Sequence, residues 1–358
     1  MLEANKIFLA AINKYVDDNA VANIEKKVNG QDFVVWGDKN DYPKFLWELY
    51  SNCTTLQTII NGIGDYVCGD DVICNISNFQ STINKKGETV KDLVSRLAMD
   101  YLIFGSFAIQ IIKNYGGGIS ELYWVDVNKL RSDDKNEVFF YSEDWDKSFG
   151  RVKTIKYPKF NKLDNNTTSI FYFKGNKTRS VYGTPIWSAA VKNAMIETHI
   201  TDFHLNEINN NFMSSKLISF NNGQPTDEQK TEIEENLSEK FGGAGNAGRV
   251  MIAFSDSKEN APEVIDLATD NFADRYSTLA KRNKEEIYCA FRATPVLFGL
   301  VSESNGFATA EYSDSYKLFN KTVVSPIQQA IISALNKIFG VQDSIVINPF
   351  TITFENKE

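Results

Sequence analysis

The sequence predicts an α+β protein, with a first half of mixed helices and strands and a second half of long helices around one small insert. Two observations carry this prediction. Segments with the 3.6-residue period of an amphipathic helix are interspersed with short apolar strands up to about residue 174. From residue 184 onward the stretches between helix-breaking residues are long, and the alternating strands and helices of a parallel sheet are missing. The sheet-based enzyme folds are therefore disfavoured.

Three helices are predicted in the first half. Asp41 and Pro43 begin the second of them, because Asp is favoured before a helix and Pro in its first turn. The third follows from apolar residues that recur every three or four positions from Val90 to Tyr101. We interpret the first as a helix rather than a signal peptide, since it lacks a basic region and a cleavage site. The predicted helices span 2–16, 44–68 and 90–103.

The strands of the first half are predicted from apolar runs bounded by turns. Within 106–126, two such runs flank the glycine-rich turn YGGG, which predicts a β-hairpin. Three shorter strands are predicted, at 137–141, 151–156 and 168–174. The aromatic residues Trp36, Tyr42 and Trp47 are expected to anchor a loop and a helix in the core rather than to stack on bases or sugars.

Two long helices are predicted around the insert. In the first, Thr184 is the expected N-cap and Pro185 the first helical residue, and no breaker follows until about Met213. Such a helix is roughly 40 Å long, and its polar second half is typical of a helix that packs against neighbouring subunits or lines an aqueous space. The second runs over 269–292 and should end before Pro295, which disfavours helical geometry in the residue before it.

The insert between these helices, residues 214–266, is predicted to be acidic. It should contain strands at 216–220 and 249–254 and a helix at 227–241 that begins with a capping box. Ten Asp and Glu residues stand there against five Lys and Arg, so the insert carries more than half of the net charge of −8. We interpret it as an acidic docking surface or channel mouth; the plainer alternative is a soluble surface helix.

The remaining chain is predicted to be one long, bent helix and a short strand region. After a loop over 296–308, Thr309 is expected to cap a helix that Pro326 kinks and Gly340 ends. One or two strands are predicted at 344–354.

The residues that most catalytic mechanisms need are scarce. The two histidines, His199 and His204, lie about 140° apart around a helix axis, so one chain cannot easily aim both at a metal ion. The four cysteines form no C-x-x-C pair and are expected to be buried, reduced thiols. No phosphate-binding G-x-x-x-x-G-K-[ST] loop occurs, and the acidic balance disfavours tight, sequence-specific DNA binding. We therefore predict no catalytic residue, no metal ligand and no cofactor.

The run GGAGNAGR at 242–249 has the spacing G-x-G-x-x-G of a dinucleotide-binding turn. Such a turn joins a strand to a helix N-terminus, whereas here the predicted helix comes first and its C-terminal partial negative charge would repel phosphate. We interpret the run as a helix stop and a flexible turn. The alternative is a nucleotide- or metal-dependent enzyme that uses 243–248 or the acidic pairs Asp70–Asp71 and Asp133–Asp134.

Five segments, in a fixed order and spacing, carry a family resemblance over roughly residues 40–340. They are LIFGSFAIQIIKNYGGGISELYWVDVNKLR (102–131), YGTPIWSAAVKNAM (182–195), the stretch 209–254, KEEIYCAFRATPVLFG (284–299) and NGFATAEYSDSYKLFNKTVVSPIQQAIISALNK (305–337). None is diagnostic alone. Together they resemble the portal proteins of tailed double-stranded DNA bacteriophages.

The resemblance implies a structural protein that forms a ring, usually of twelve copies, at one capsid vertex. Its portal-type fold would combine a mixed α/β wing, a two-helix stem, a small α/β clip and a long kinked helix after a tunnel loop. By matching segment, the wing is 1–182, the first stem helix 183–213, the clip 214–268, the second stem helix 269–293 and the tunnel loop 294–308. Residues 309–358 would be the kinked helix and C-terminal wing strands, with a helical crown that is small or absent.

The resemblance also implies residues for each part. The tunnel loop would face DNA with Leu300, Val301, Ser302, Glu303, Ser304, Asn305, Gly306 and Phe307, and it carries no Lys or Arg that could grip phosphates strongly. The clip would dock partners with Glu228, Glu232, Glu235, Glu239, Gly243, Gly245, Asn246, Gly248 and Arg249. The stem helices would pack through Asp202, His204, Glu207 and Tyr276.

The implied function is a non-enzymatic conduit for DNA packaging and ejection and a docking platform for the packaging motor and the tail. The implied partners are further copies of the chain, the major capsid protein, the terminase large subunit, the head–tail connector and non-specifically bound double-stranded DNA, with no membrane. The implied location is the capsid vertex of a virion, and the host cytoplasm during assembly. A portal-derived scaffold of a domesticated prophage particle is a further alternative.

Overall fold

The structure is a computed structural model that describes residues 23–145, 153–175, 180–209, 216–220, 226, 250–254, 272–299 and 309–351. The chain divides into two compact units. We call the larger unit, Asp17–Glu197 with Arg282–Glu358, the body, and the smaller unit, which contains Thr198–Lys281, the arm. No helix within the described ranges is long and apolar enough to cross a membrane.

The region predicted as a single helix over 44–68 forms two helices, α1 (Tyr42–Asn52) and α2 (Thr54–Cys68). Cys53 separates them in an extended conformation, with φ −97° and ψ 108°. The second helix starts anew because Thr55 donates hydrogen bonds from its backbone N–H (3.1 Å) and its hydroxyl (2.9 Å) to the carboxylate of Glu197. This acceptor is remote in sequence, so no local pattern reveals the break.

The predicted helix at 90–103 is confirmed as α3 (Val90–Phe104). Thr89 and Asp92 form a capping box, in which each side chain accepts a hydrogen bond from the other's backbone N–H. Gly105 ends the helix with φ 72°, in the left-handed region that glycine adopts without a steric penalty. Its backbone lies so close to Thr184 that an added Cβ would stand 2.7 Å from Thr184 N.

Twelve short strands form five small sheets in the described parts of the chain. The strands are β1 (Glu25–Lys27), β2 (Val34–Trp36), β3 (Asp71–Cys74), β4 (Ser106–Lys113), β5 (Ile119–Val125), β6 (Leu130–Ser132), β7 (Val138–Tyr141), β8 (Ile155–Pro158), β9 (Thr168–Lys174), β10 (Lys216–Phe220), β11 (Val250–Phe254) and β12 (Ile345–Asn348). The predicted hairpin is β4–β5, and β9 adds to its other edge in the order β5-β4-β9, with Ile109 opposite both Trp124 and Phe171.

The other sheets join segments that are distant in sequence. β6, β7 and β8 form an antiparallel sheet, in which β8 starts at Ile155 and not at 151 as predicted. β3 pairs with β12, so the C-terminal strand lies beside the end of α2. In the arm, β10 and β11 pair in parallel with Lys216 opposite Val250, which confirms both predicted strands. The intervening predicted helix at 227–241 and the glycine run lie outside the described residues.

The long helices differ from prediction at their starts and at the bend. Thr184 and Pro185 are not helical; a 3-10 turn at Ser188–Ala190 leads into α4 (Val191–Asn209), and 210–213 lie outside the described residues. α5 (Phe272–Phe291) falls within the predicted 269–292. The predicted helix from Thr309 is α6 (Thr309–Phe319) and α7 (Ser325–Phe339), with the π-helical turn Asn320–Val324 between them.

The π-turn lies before Pro326 because proline has no N–H to bond the preceding turn. Pro326 itself is the second residue of α7, directly after the π-turn. Gly340 ends α7 with φ 69°, as predicted. Thr309 is the first residue of α6 rather than the residue before it.

Two expectations about burial are wrong in part. Trp36 and Tyr42 are buried, but the side chain of Trp47 is 47% exposed, because α1 buries the stripe of Leu46, Leu49 and Tyr50. Among the cysteines, Cys53 and Cys74 are buried and Cys68 is half-buried, whereas Cys289 is exposed on α5.

Candidate functional site

The two described ends of the segment predicted to face DNA meet at the C-terminal half of α2. Before the segment lies a 3-10 turn, Pro295–Phe298, which Gly299 ends with φ 83°. After it, α6 begins at Thr309. The predicted channel residues 300–307 themselves lie outside the described residues. We call this meeting point, formed by α2, the 3-10 turn and α6, the loop base.

Tyr66 of α2 is the centre of the loop base. Its hydroxyl donates a hydrogen bond of 3.0 Å to the carbonyl of Leu297, and it lies 3.4 Å from the hydroxyl of Tyr312 on α6. Its ring contacts Phe298 from the 3-10 turn and Tyr316 from α6, with centroids 6.2 and 5.4 Å apart. Burial raises the pKa of Tyr66 above its ordinary value, so the hydroxyl remains protonated and able to donate.

Gly62 lets the 3-10 turn approach α2 closely. A Cβ at this position would stand 2.8 Å from two ring atoms of Phe298. Gln328 of α7 donates from its side-chain amide to the carbonyls of Tyr66 (3.5 Å) and Val67 (3.0 Å), which would otherwise be free at the end of α2. Sequence reasoning missed Tyr66, Gly62 and Gln328. Of these, only Gly62 has a local signal, because a glycine inside a helical pattern indicates close backbone approach.

The base of α4 is fixed in the body by polar contacts that the sequence did not indicate. Glu197 caps α2, and the amide of Asn193 donates a 3.2 Å hydrogen bond to Asn283 of α5. Trp187, just before α4, is fully buried and donates through its indole N–H to the carbonyl of Leu102 (2.8 Å). Its ring stacks against that of Phe291, with centroids 6.5 Å apart and planes inclined by 24°. The two long helices are thus joined where they enter the body.

The residues predicted to pack the stem lie on these helices. Asp202 and His204 are exposed on α4, and the Nδ1 atom of His199 lies 4.0 Å from the carboxylate of Asp202. Glu207 lies on α4 and Tyr276 on α5, with side chains outside the described residues. The predicted clip-docking residues all lie outside the described part of the chain: Glu228, Glu232, Glu235, Glu239, Gly243, Gly245, Asn246, Gly248 and Arg249.

The acidic pairs considered as metal sites have structural contacts. One carboxylate oxygen of Asp133 accepts hydrogen bonds from the backbone N–H groups of Glu137 (2.8 Å) and Val138 (3.2 Å), and Asp134 pairs with Lys27 at 3.0 Å. The carboxylate of Asp70 accepts from the Thr351 N–H at 3.1 Å. Across the described ranges no three His, Cys, Asp or Glu side chains are grouped as a metal site would require.

Arg131 and Asp100 are among the ionisable side chains that the body buries, and sequence reasoning singled out neither. Arg131 is 1% exposed; its guanidinium donates to Asn40 Oδ1 (2.6 Å) and to the carbonyls of Asn40, Asn128 and Leu130, and burial lowers its pKa to about 10. Asp100 accepts a 2.8 Å hydrogen bond from the indole of Trp124, and burial raises the pKa of its carboxyl well above the ordinary value.

Comparison with known proteins gives one family match and several similar solved structures. A family model described as phage portal protein matches residues 84–355. A chain from the virion of a native gene transfer agent particle is 16% identical, with a TM-score of 0.57 over 86% of this chain and 83% of that chain. A chain from the neck of a native gene transfer agent particle, computed with C12 symmetry, is 17% identical, with a TM-score of 0.53 over 87% of this chain and 86% of that chain. A search of curated proteins gives no match.

The body, with its small sheets, its short helices and the two long helices, thus has the mixed α+β architecture that the sequence predicts. More particularly, the chain belongs to the phage portal protein family, because the family model covers most of its length. Its role is structural and ring-forming, at a capsid vertex, which confirms the expectation from the resemblance. The alternative of a nucleotide- or metal-dependent enzyme is set aside by the same finding.

Proposed function

We propose that twelve copies of the chain form a ring through which double-stranded DNA is packaged into a particle and later ejected. Family membership supports the ring, and the fold similarity to a neck chain computed with C12 symmetry supports the number twelve. In a closed ring each copy meets its two neighbours through different surfaces. Asp202 and His204 are exposed, polar residues on different sides of α4, and such a helix is suitable for contacts with two neighbours around an aqueous axis.

Residues 300–307 are proposed to line the narrow part of this channel. The loop base supports this assignment, because both flanks of the segment are fixed on the body by α2. Glu303 is the single charged residue of the segment and is acidic. A negative wall repels the DNA backbone and allows it to slide, whereas a basic wall would bind phosphates and release counterions.

The other parts follow from the same assignment. We propose that 1–182 and 309–358 form the wing beside the major capsid protein, and that 183–213 and 269–293 form the stem. The clip, 214–268, is proposed to dock the terminase large subunit and later the head–tail connector through its acidic residues. The excess of acidic over basic residues in the insert supports a docking surface for basic partners. Assembly is proposed to take place in the host cytoplasm.

A second candidate is favoured by a specific observation. Both of the solved structures described above come from gene transfer agent particles. The chain is therefore also a candidate component of a phage-derived particle of a domesticated prophage, in which the ring and channel have the same form. Neighbouring genes for terminase and capsid proteins, together with the length of the packaged DNA, distinguish the two.

The ring is tested by the mass of the purified chain. Twelve copies of a 40.4 kDa chain give a particle of about 480 kDa in mass photometry, and end-on electron micrographs should show twelve units around a hole. A chain that stays monomeric, both when pure and when extracted from intact particles, contradicts the proposal.

The clip assignment is tested by charge reversal. Glu232→Lys with Glu235→Lys should weaken binding of purified rings to the terminase large subunit, and the loss should be greatest at low salt. Glu48→Lys, an exposed position on α1 in the body, is the matched control and should leave binding unchanged. Equal binding by all three proteins contradicts the assignment.

A further inference from the structure

One buried side chain contacts both flanks of the proposed channel segment. We propose that Tyr66 is the positioning residue of that segment, which fixes the 3-10 turn before it and α6 after it at one point on α2. The contacts of Tyr66 are independent of what the segment touches; only the consequence for DNA rests on the proposed function.

The hydroxyl of Tyr66 links the two flanks directly. Its single proton is donated to the carbonyl of Leu297, so the hydroxyl of Tyr312, 3.4 Å away, is the donor in their contact. The chain Tyr312–Tyr66–Leu297 therefore runs from α6 through α2 to the 3-10 turn. Removing the one oxygen atom of Tyr66 breaks both bonds at once.

The ring of Tyr66 makes the same connection through aromatic packing. It is 8% exposed and meets rings from both flanks and from the C-terminal segment in tilted and edge-on geometries, which are the favoured ones for aromatic pairs. The centroid distances are 6.2 Å to Phe298, 5.4 Å to Tyr316, 6.2 Å to Phe319 and 5.2 Å to Phe350. The Tyr316 hydroxyl in turn donates to the carbonyl of Phe350 at 2.8 Å.

The glycine one turn earlier on α2 makes room for this arrangement. At Gly62 the Phe298 ring fills the place of a side chain, at 2.8 Å from an added Cβ. Gly64 on the same helix differs, because an added Cβ there meets only the sulfur of Met99, at 3.1 Å, and a methionine side chain can move. The close approach at Gly62 is therefore specific to the loop base.

The helix that carries Tyr66 is itself held at both ends. At the N-terminus of α2, Glu197 accepts hydrogen bonds from Thr55, and at the C-terminus of α2, Gln328 donates to the backbone carbonyls. Each contact comes from a different part of the body, α4 and α7. α2 is thus a fixed reference to which Tyr66 ties the two flanks.

The first test is hydrogen exchange of assembled rings, followed by mass spectrometry. Tyr66→Phe keeps the ring and removes the hydroxyl, so amides in both flanks, 296–299 and 312–316, should exchange about fivefold faster, the effect of losing one typical hydrogen bond. Tyr50→Phe is the matched control, since the Tyr50 hydroxyl also bonds to α2, at Asn61 (2.7 Å), away from both flanks. Unchanged exchange, or faster exchange in one flank alone, overturns the proposal.

A second pair of variants keeps the test decisive if Tyr66→Phe loosens the whole body. Gly62→Ala should raise exchange in the first flank, 296–299, because the added Cβ would displace the Phe298 ring, whereas Gly64→Ala, the same change on the same helix, should leave that flank as it is. The proposal fails if the two alanine variants behave alike.

The consequence for DNA is measured separately, as the fraction of particles that contain full-length DNA when they are assembled with Tyr66→Phe rings. That fraction should fall while ring mass is unchanged. If exchange is faster in both flanks but packaging is normal, Tyr66 still fixes the two flanks. Its role in positioning a DNA-contacting segment is then contradicted, and so is the proposed function of 300–307.

Discussion

Replacing Gly105 by alanine tests how closely the body packs at the point where the chain turns towards α4. Gly105 ends α3 with φ 72°, and its backbone crosses that of Thr184 and Gly183. An alanine Cβ would lie 2.7 Å from Thr184 N and nearer still to the carbonyl group of the same residue. These atoms belong to the backbone, so they cannot move aside as a flexible side chain would.

The expected loss of stability has two parts. A non-glycine residue in the left-handed region costs about 1 to 2 kcal/mol. Forcing a methyl group into a filled space adds about 1 to 3 kcal/mol. Gly87 isolates the first part, because its φ is 80° and nothing lies within 4 Å of an added Cβ. We therefore expect Gly87→Ala to cost about 1 kcal/mol and Gly105→Ala about 3 kcal/mol or more.

Thermal unfolding of assembled rings at a fixed protein concentration measures the difference, since assembly shifts the apparent stability. For a chain of 358 residues we expect the Tm to fall by about 1 °C for Gly87→Ala and by about 4 °C or more for Gly105→Ala. Equal shifts for the two variants would refute the reasoning, because they would mean that the contact with Thr184 adds nothing to the cost of the backbone conformation.

Three further predictions concern buried charges in the body. Burial raises the pKa of Asp100 above its ordinary value, so the carboxyl stabilises the fold at low pH and this contribution is lost as the pH rises through the folded-state pKa. Asp100→Asn should therefore raise the Tm at pH 7 and flatten the fall in Tm as the pH rises above the ordinary pKa of an aspartate, and an unchanged pH profile would contradict this. Arg131→Lys should lower the free energy of unfolding in urea by about 2–4 kcal/mol, because lysine lacks the planar guanidinium that reaches Asn40 Oδ1 and three carbonyls. A variant as stable as the original chain would contradict this. Lys113→Met should speed amide exchange at 161–166 without unfolding the rest, since the ammonium of Lys113 donates to three carbonyls of that loop; unchanged exchange there would refute the assignment.

The sequence predicted the elements whose signals are local. The start of α3 at Val90, the glycine-rich turn of the β4–β5 hairpin and the C-terminal Gly340 of α7 all lie where expected. Each of these depends on residues within a few positions of one another, so a single window contains the whole physical cause.

The features that sequence reasoning missed depend on distant residues. The break at Cys53 depends on Glu197, the register of β3 on β12, and the loop base on Tyr66, Leu297 and Tyr312. The burial of Trp47 was also mispredicted for this reason, because distant parts of the chain decide which stripe of α1 faces the core. The resemblance identified the family from ordered segments, but it did not identify the side chains that fix the loop base.

The central claim is that DNA passes a channel lined by residues 300–307 of each copy, and a cross-linking measurement tests it most directly. A photoreactive amino acid replaces Glu303 in rings built into DNA-filled particles, and the same amino acid replaces Tyr115, a fully exposed position on the β4–β5 turn, as the control. We predict cross-links to DNA from position 303 and none from position 115. DNA-filled particles that give no cross-link from 303, or equal cross-links from both positions, would contradict the claim.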